Sequence, residues 1–214
     1  MTGGHPGSPE GEPIAIVGYA CRLPKSPDPE SFWRLLRDGE DAVTWLPCDR
    51  RTLFAEPGEQ QSRTPRRGAF LHGIDHFDSS FFGMAPLDAA ITDPQRRLAL
   101  ELGWEALEDA GVVIDRVKDG ETGVFLGAVR EDYADVLRAQ GVEPPPETDR
   151  HTIADTVAAF LGTSGPSLAV DAAQVSALAA VHAAGESLRR GSACSPSPVA
   201  CGCASGGMKT GPTT

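Results

Sequence analysis

Aromatic residues are scarce in this chain, 6% of 214 positions with only two tyrosines and three tryptophans, so its core has to close on aliphatic and small side chains rather than on large rings. Basic residues are outnumbered, 19 Lys and Arg against 30 Asp and Glu for a formal net charge of −11. That balance excludes a nucleic-acid binder, which needs clustered Lys and Arg to neutralise phosphates; acidity of this size mainly favours solubility. Cysteines number five. An odd count with no export signal ahead of it reads as reduced thiols rather than a disulfide framework. No apolar run approaches the roughly 20 residues that a bilayer span requires, and residues 1–13 are rich in Gly and Pro and lack the apolar stretch of a secretory leader. These absences predict a soluble cytoplasmic protein.

What is present is enough for one domain, since 40% of the residues are hydrophobic and the length suits a single sizeable core. Residues 1–12 (MTGGHPGSPEGE) have no apolar periodicity and predict a flexible leader. Residues 14–20 (IAIVGYA) form a short β-branched run that suits a strand buried on both faces of a sheet. Ser26-Pro27-Asp28-Pro29-Glu30 supplies breakers and acidic capping chemistry before Phe32, Trp33, Leu35 and Leu36, which fit one face of a helix closed by Gly39. Residues 47–70 read as an exposed loop.

Asp93 as N-cap with Pro94 at the first helical position opens a second helix. Leu98, Leu102, Trp104, Ala106, Leu107 and Ala110 make it largely buried, and Gly111 is placed to end it. Residues 122–129 (TGVFLGAV) predict a second buried strand, 144–146 (PPP) a stiff loop, 167–171 (SLAVD) a third strand, and 175–189 a helix of small residues able to pack centrally. Strands alternating with helices imply an α/β sheet with parallel pairs.

The chemistry turns on the strand-to-helix junction in residues 165–182, GPSLAVDAAQVSALAAVH. A residue there sits on a sharp turn with its side chain exposed, facing backbone N–H groups and the positive end of the helix dipole. A cysteine in that place would be acidified and reactive. This chain has Gln174, which carries no ionisable proton and cannot form a thioester.

Residues 12–24 (EPIAIVGYACRLP), 32–43 (FWRLLRDGEDAV), 77–84 (FDSSFFGM), 93–111 (DPQRRLALELGWEALEDAG), 122–128 (TGVFLGA) and 165–191 (GPSLAVDAAQVSALAAVHAAGESLRRG) resemble successive blocks of the ketosynthase domain of modular type I polyketide synthases, in the family's order and spacing. The resemblance implies the N-terminal half of a thiolase-like (condensing enzyme) fold, layered α/β with a mixed, largely parallel sheet, over residues 13–191. It implies an acyltransferase whose substrates ride on the phosphopantetheine arm of an acyl carrier protein, with no bound cofactor or metal, and partners that are the carrier protein, synthase subunits or a second copy in a homodimer. In that family a cysteine at the place of Gln174 carries the growing acyl chain, and two histidines of the second half, which the resemblance implies is missing from this truncated chain, assist decarboxylation of the extender.

A glutamine at that place resembles the loading-module variant that decarboxylates malonyl groups, although Val175 and Ala177 depart from the variant's serine-rich run. Three expectations follow: a ketosynthase-related chain that is inactive alone, a loading-module decarboxylase remnant, or a noncatalytic partner-binding or pseudogene product.

Other residues carry plainer expectations. His182 packs within its helix; His72 and His76 lie in a loop without metal spacing; Cys194, Cys201 and Cys203 lack the paired spacing of a zinc site. Residues 162–165 (GTSG) are a turn before a strand rather than a phosphate loop. At 192–214 composition shifts abruptly to Ser, Pro, Gly and Cys, and the expectation is an aberrant, disordered tail. Back-translated with G or C at third positions and read one base early from the Gly191 codon, it yields ERLLALAGGVRL. That peptide resembles the family's next block, which implies a frameshift near Gly191.

Overall fold

The acidic cap expected before the first helix is formed, and the structure makes it reciprocal. In α1 (Pro29–Asp38) the Asp28 carboxylate accepts the Ser31 N–H at 2.8 Å, the Ser31 hydroxyl accepts the Asp28 N–H at 3.2 Å, Pro29 occupies the first turn, and Gly39 closes the helix at φ 66°. The computed structural model describes residues 13–47, 50, 67–129, 132–145 and 151–190, and the backbone of 200–204. A short antiparallel ribbon follows α1, with β1 (Thr44–Trp45) paired to β2 (Arg67–Gly68) and the Arg67 guanidinium 5.4 Å above the Trp45 ring. Of the loop expected over 47–70, the described part thus includes a paired strand.

After α2 (Pro86–Ile91) comes α3 (Pro94–Asp109), capped by Asp93, whose carboxylate accepts the Gln95 N–H at 2.8 Å. The central sheet is parallel: β3 (Val124–Ala128) lies between β4 (Ser167–Val170) and β5 (Ala200–Ala204), with Val124 opposite Ser167 on one side and Ala200 on the other. Between β3 and β4 run α4 (Tyr133–Ala139) and α5 (His151–Leu161), and α6 (Ser176–Arg189) follows β4.

Strand alternation divides the core into two layers. Val124, Leu126 and Ala128 of β3 face a cluster with Ala99, Leu100 and Leu107 of α3 and Ile153, Ala154, Val157, Ala158 and Leu161 of α5. Phe125 points the other way, onto Ala180 and Ala184 of α6. The sheet is therefore sandwiched, α3 and α5 against one face and α6 against the other. All five residues of β3 are buried, as the continuous apolar run 122–129 predicts, and the small residues of α6 permit its close approach.

Three readings of the sequence are corrected. Residues 14–20 form no strand: they run extended and mostly exposed, Ile16 86% so. They are pinned instead to α3, where the Tyr19 N–H donates to Asp109 at 2.9 Å and a Cβ on Gly18 would come within 2.3 Å of the Ala106 oxygen, and just beyond them Arg22 bonds to Glu105 of the same helix. A β-branched run becomes a strand only when a neighbouring edge accepts its backbone, and among the described residues no strand pairs with this one.

The buried face of α3 is also different from the expected one. Ala99, Leu100 and Leu107 are buried alongside Gln95, Arg96 and Arg97, while Leu98, Leu102, Trp104, Ala106 and Ala110 are only partly covered. Trp104 instead joins an aromatic group with Phe81 at 4.9 Å and Phe160 at 6.2 Å between ring centroids.

The third correction falls in the tail, where the backbone of Ala200–Ala204 pairs with β3. Pro196 and Pro198 precede this stretch, and Ala200–Ala204 (ACGCA) itself contains no proline to interrupt the ladder. Residues 192–199 and 205–214 lie outside the described residues. Among the described residues no helix is long and apolar enough to cross a membrane.

Candidate functional site

The junction singled out in the sequence is a tight turn between the end of β4 and the start of α6. β4 stops at Val170, Asp171 leaves the sheet, and residues Ala173–Val175 form a single 3-10 turn before α6 begins at Ser176. The turn is held locally: the Asp171 carboxylate accepts the Ala173 N–H at 3.0 Å, and the Val175 N–H donates to the Ala172 carbonyl at 3.2 Å. Ala173 sits at φ 51°, left-handed backbone that a side-chain-bearing residue adopts at a cost of about 1 kcal/mol or more. This strained residue stands just before the candidate position, and Gln174 is exposed.

Beneath the turn lies β3. Gly127 faces the first residues of α6 so closely that a Cβ there would stand 2.7 Å from the Ser176 carbonyl carbon and 2.8 Å from the Ala177 nitrogen. The helix N-terminus is thereby seated directly on the central strand. Ser176, only 4% exposed, occupies the inside of the turn. Its hydroxyl accepts the Ala172 N–H at 2.9 Å and donates to the Ala173 carbonyl at 2.7 Å. The first turn of α6 has no acidic residue to offset the positive end of its dipole. The arrangement can present one side chain, at position 174, to the N-terminal end of a helix; with an amide in that place it offers hydrogen bonding and no nucleophile.

Sequence reasoning located Gln174 but missed Gly127, Ala173 and Ser176, the residues that shape its surroundings. A glycine inside an otherwise apolar strand was the available signal for Gly127, because such a residue marks close backbone approach. Nothing in local sequence marks the φ of Ala173.

The other singled-out residues fall elsewhere. His182 is exposed on α6 rather than packed within it, because its face of the helix points away from Phe125. His72 and His76 are exposed, and among the described residues no group of His, Cys, Asp and Glu could hold a metal ion. Cys194 lies outside the described residues, as do the side chains of Cys201 and Cys203. The 162–165 segment is a turn, tied down by the Thr163 hydroxyl donating to the Gly120 and Thr122 carbonyls at 2.8 and 2.7 Å.

A second polar group surrounds the start of α3. Asp93 is buried, and burial pushes its carboxyl above the usual range against the opposing Gln95 N–H and the Arg96 and Arg97 charges. Burial likewise raises Glu101 against Arg22, 3.9 Å away, and raises the Cys21 thiol, with Asp28 adding to the shift. A raised thiol is a poor nucleophile at neutral pH.

Residues 11–203 match the sequence profile of the beta-ketoacyl synthase, N-terminal domain. The chain is 47% identical over 188 residues to polyketide synthase GfsA of Streptomyces halstedii, covering 84% of this chain and 2% of that one. It is 40% identical over 195 residues to the pikromycin polyketide synthase component PikAII of Streptomyces venezuelae, covering 86% and 5%. Among solved structures, the oxazolomycin ketosynthase domain OzmH KS7 of Streptomyces albus JA3453 superposes with a TM-score of 0.70 at 34% identity, over 83% of this chain and 32% of that chain. A ketosynthase from module 6 of the bacillaene synthase of Bacillus subtilis 168 gives 0.68 at 29%, over 81% and 29%. The chain thus spans a small part of the synthases and less than a third of each of these solved domains.

Proposed function

The chain belongs to the beta-ketoacyl synthase family as an N-terminal domain of the polyketide synthase type, and from that premise we propose that Gln174 stands where the family's acyl-bearing cysteine stands and that the 214-residue chain by itself performs no acyl transfer. The observation that carries this reading is the exposed glutamine on the strained turn between β4 and α6. An amide there has no thiolate to attack a thioester. The partner is an acyl carrier protein presenting substrate on its phosphopantetheine arm, and the broader setting is a synthase subunit or a homodimer of this domain.

The test is incubation with acyl carrier protein thioesters followed by intact-protein mass spectrometry. No acyl adduct should form; an adduct mapped to position 174 overturns the reading. Gln174→Cys alone should accept label without elongating it, because the acid-base groups that the resemblance assigns to the second half are not among the residues matched here.

Gln174 itself favours a second reading, that of a loading-module malonyl decarboxylase remnant. Against it, Val175 and Ala177 replace the serines that flank the glutamine in that variant. The noncatalytic, partner-binding alternative is favoured by the exposed Val175, Leu178 and Val181 on one side of the turn and α6. The frameshift near Gly191 remains part of the proposal, and the nucleotide sequence across that codon tests it directly: a neighbouring frame that does not encode ERLLALAGGVRL overturns it.

A further inference from the structure

We propose that Ser176 is a positioning residue whose hydroxyl, from inside the turn, holds position 174 over the N-terminus of α6; the inference rests on the reading of position 174 as the family's nucleophile position. Serine at a helix start usually caps its own helix through the N–H groups that follow. Here the hydroxyl reaches backwards. It accepts from Ala172 at 2.9 Å and donates to Ala173 at 2.7 Å, so one buried group ties down both residues that precede Gln174.

Those two bonds act where the backbone is least content, at the φ 51° of Ala173. A left-handed alanine persists only while its surroundings over-determine it. Asp171 supplies one restraint, through the Ala173 N–H at 3.0 Å, and Ser176 supplies the other, through the Ala173 carbonyl. The sheet side is closed by Gly127, which lies against the Ser176 carbonyl carbon and leaves the turn no room to sink. Without the hydroxyl, the Ala172 N–H loses its acceptor and the Ala173 C=O keeps only the Ser176 backbone N–H, so the turn relaxes outward, carrying position 174 away from the dipole end of α6.

The experiment uses the full chain carrying Gln174→Cys, alone and combined with Ser176→Ala or Ser176→Thr. The rate of iodoacetamide alkylation at position 174 is followed against pH by peptide mass spectrometry, which separates that site from the five native cysteines. Gln174→Cys alone should titrate below the ordinary thiol value of about 8.5. Adding Ser176→Ala should slow alkylation at pH 7 about tenfold, equivalent to about one unit of thiol pKa, and Ser176→Thr, which keeps the hydroxyl, should restore the rate.

An unchanged profile in Ser176→Ala overturns the positioning role while leaving the reading of position 174 intact. An ordinary thiol in Gln174→Cys alone overturns that reading and the positioning role together. If Ser176→Ala loses its thermal transition, the Thr variant decides: the parent profile supports the role, and a shifted profile in a folded Thr variant overturns it.

Discussion

Gly127 of β3 and Ser176 at the start of α6 touch backbone to backbone, with 2.7 Å between the Ser176 carbonyl carbon and the place a Cβ on Gly127 would occupy. The contact joins the central strand to the turn that displays Gln174. Because the atoms met are main chain at a helix start, no side chain can swing aside to make room. Gly127→Ala should therefore destabilise the chain by about 1–3 kcal/mol, the usual cost of overpacking, read as a lower denaturant midpoint with an unchanged m-value. A midpoint equal to that of the parent chain would show that α6 is free to lift from the sheet.

Asp93 predicts a pH dependence. Its carboxyl is raised by burial despite the Gln95 N–H and the Arg96 and Arg97 charges, and Tyr133 stands close enough to feel it. A folded-state value above the unfolded one means that the folded chain holds this proton more tightly. The resulting contribution favours folding below the unfolded carboxylate range and is withdrawn as pH rises through the folded value. Asp93→Asn keeps an acceptor for the Gln95 N–H and removes the charge. Its denaturant midpoint relative to the parent should rise as pH climbs from the ordinary carboxylate range through the raised folded value. A difference that stays flat over that interval contradicts the raised value.

Decarboxylation is expected to be absent. Loss of carbon dioxide from malonyl-loaded carrier protein leaves an enolate that preorganised donors must stabilise, and the proposed reading assigns those donors to the family's second half. Radiolabelled malonyl carrier protein incubated with the chain should release carbon dioxide at the background rate. Release above background that disappears in Gln174→Ala would establish the decarboxylase reading instead.

The outer side of the turn and α6 should be adhesive. Val175, Leu178 and Val181 recur at helical spacing and are exposed, Leu178 71% so, and Leu168 on β4 is exposed as well. Apolar groups gathered in this way invite association. The chain is expected to bind a hydrophobic dye in its native state and to sediment faster as concentration rises. Leu178→Ser should weaken both effects. A dye-silent monomer at all concentrations would show that this surface is covered in solution.

Elements that depend on their own sequence neighbours are legible in the sequence. The caps at Asp28 with Pro29 and at Asp93 with Pro94 satisfy orphan N–H groups within a few residues, so local chemistry decides them. The strands β3 and β4 show as continuous apolar runs, and the switch from strand to helix places Gln174. The helix α5 escapes the sequence reading although Ile153, Ala154, Val157, Ala158 and Leu161 repeat at helical spacing.

By itself, then, the sequence determined the family, the order of α1, α3, β3, β4 and α6, and the amide at position 174, because each is a property of residue identity or short-range spacing. Tertiary structure alone decided that residues 14–20 lie along α3 while Ala200–Ala204 takes the second edge of β3, that Arg96 and Arg97 are buried, and that Gly127 and Ser176 meet beneath the turn. Each of these depends on residues far apart in the chain. Whether a backbone finds a hydrogen-bonding edge, or a charge finds cover, depends on what the rest of the fold brings beside it.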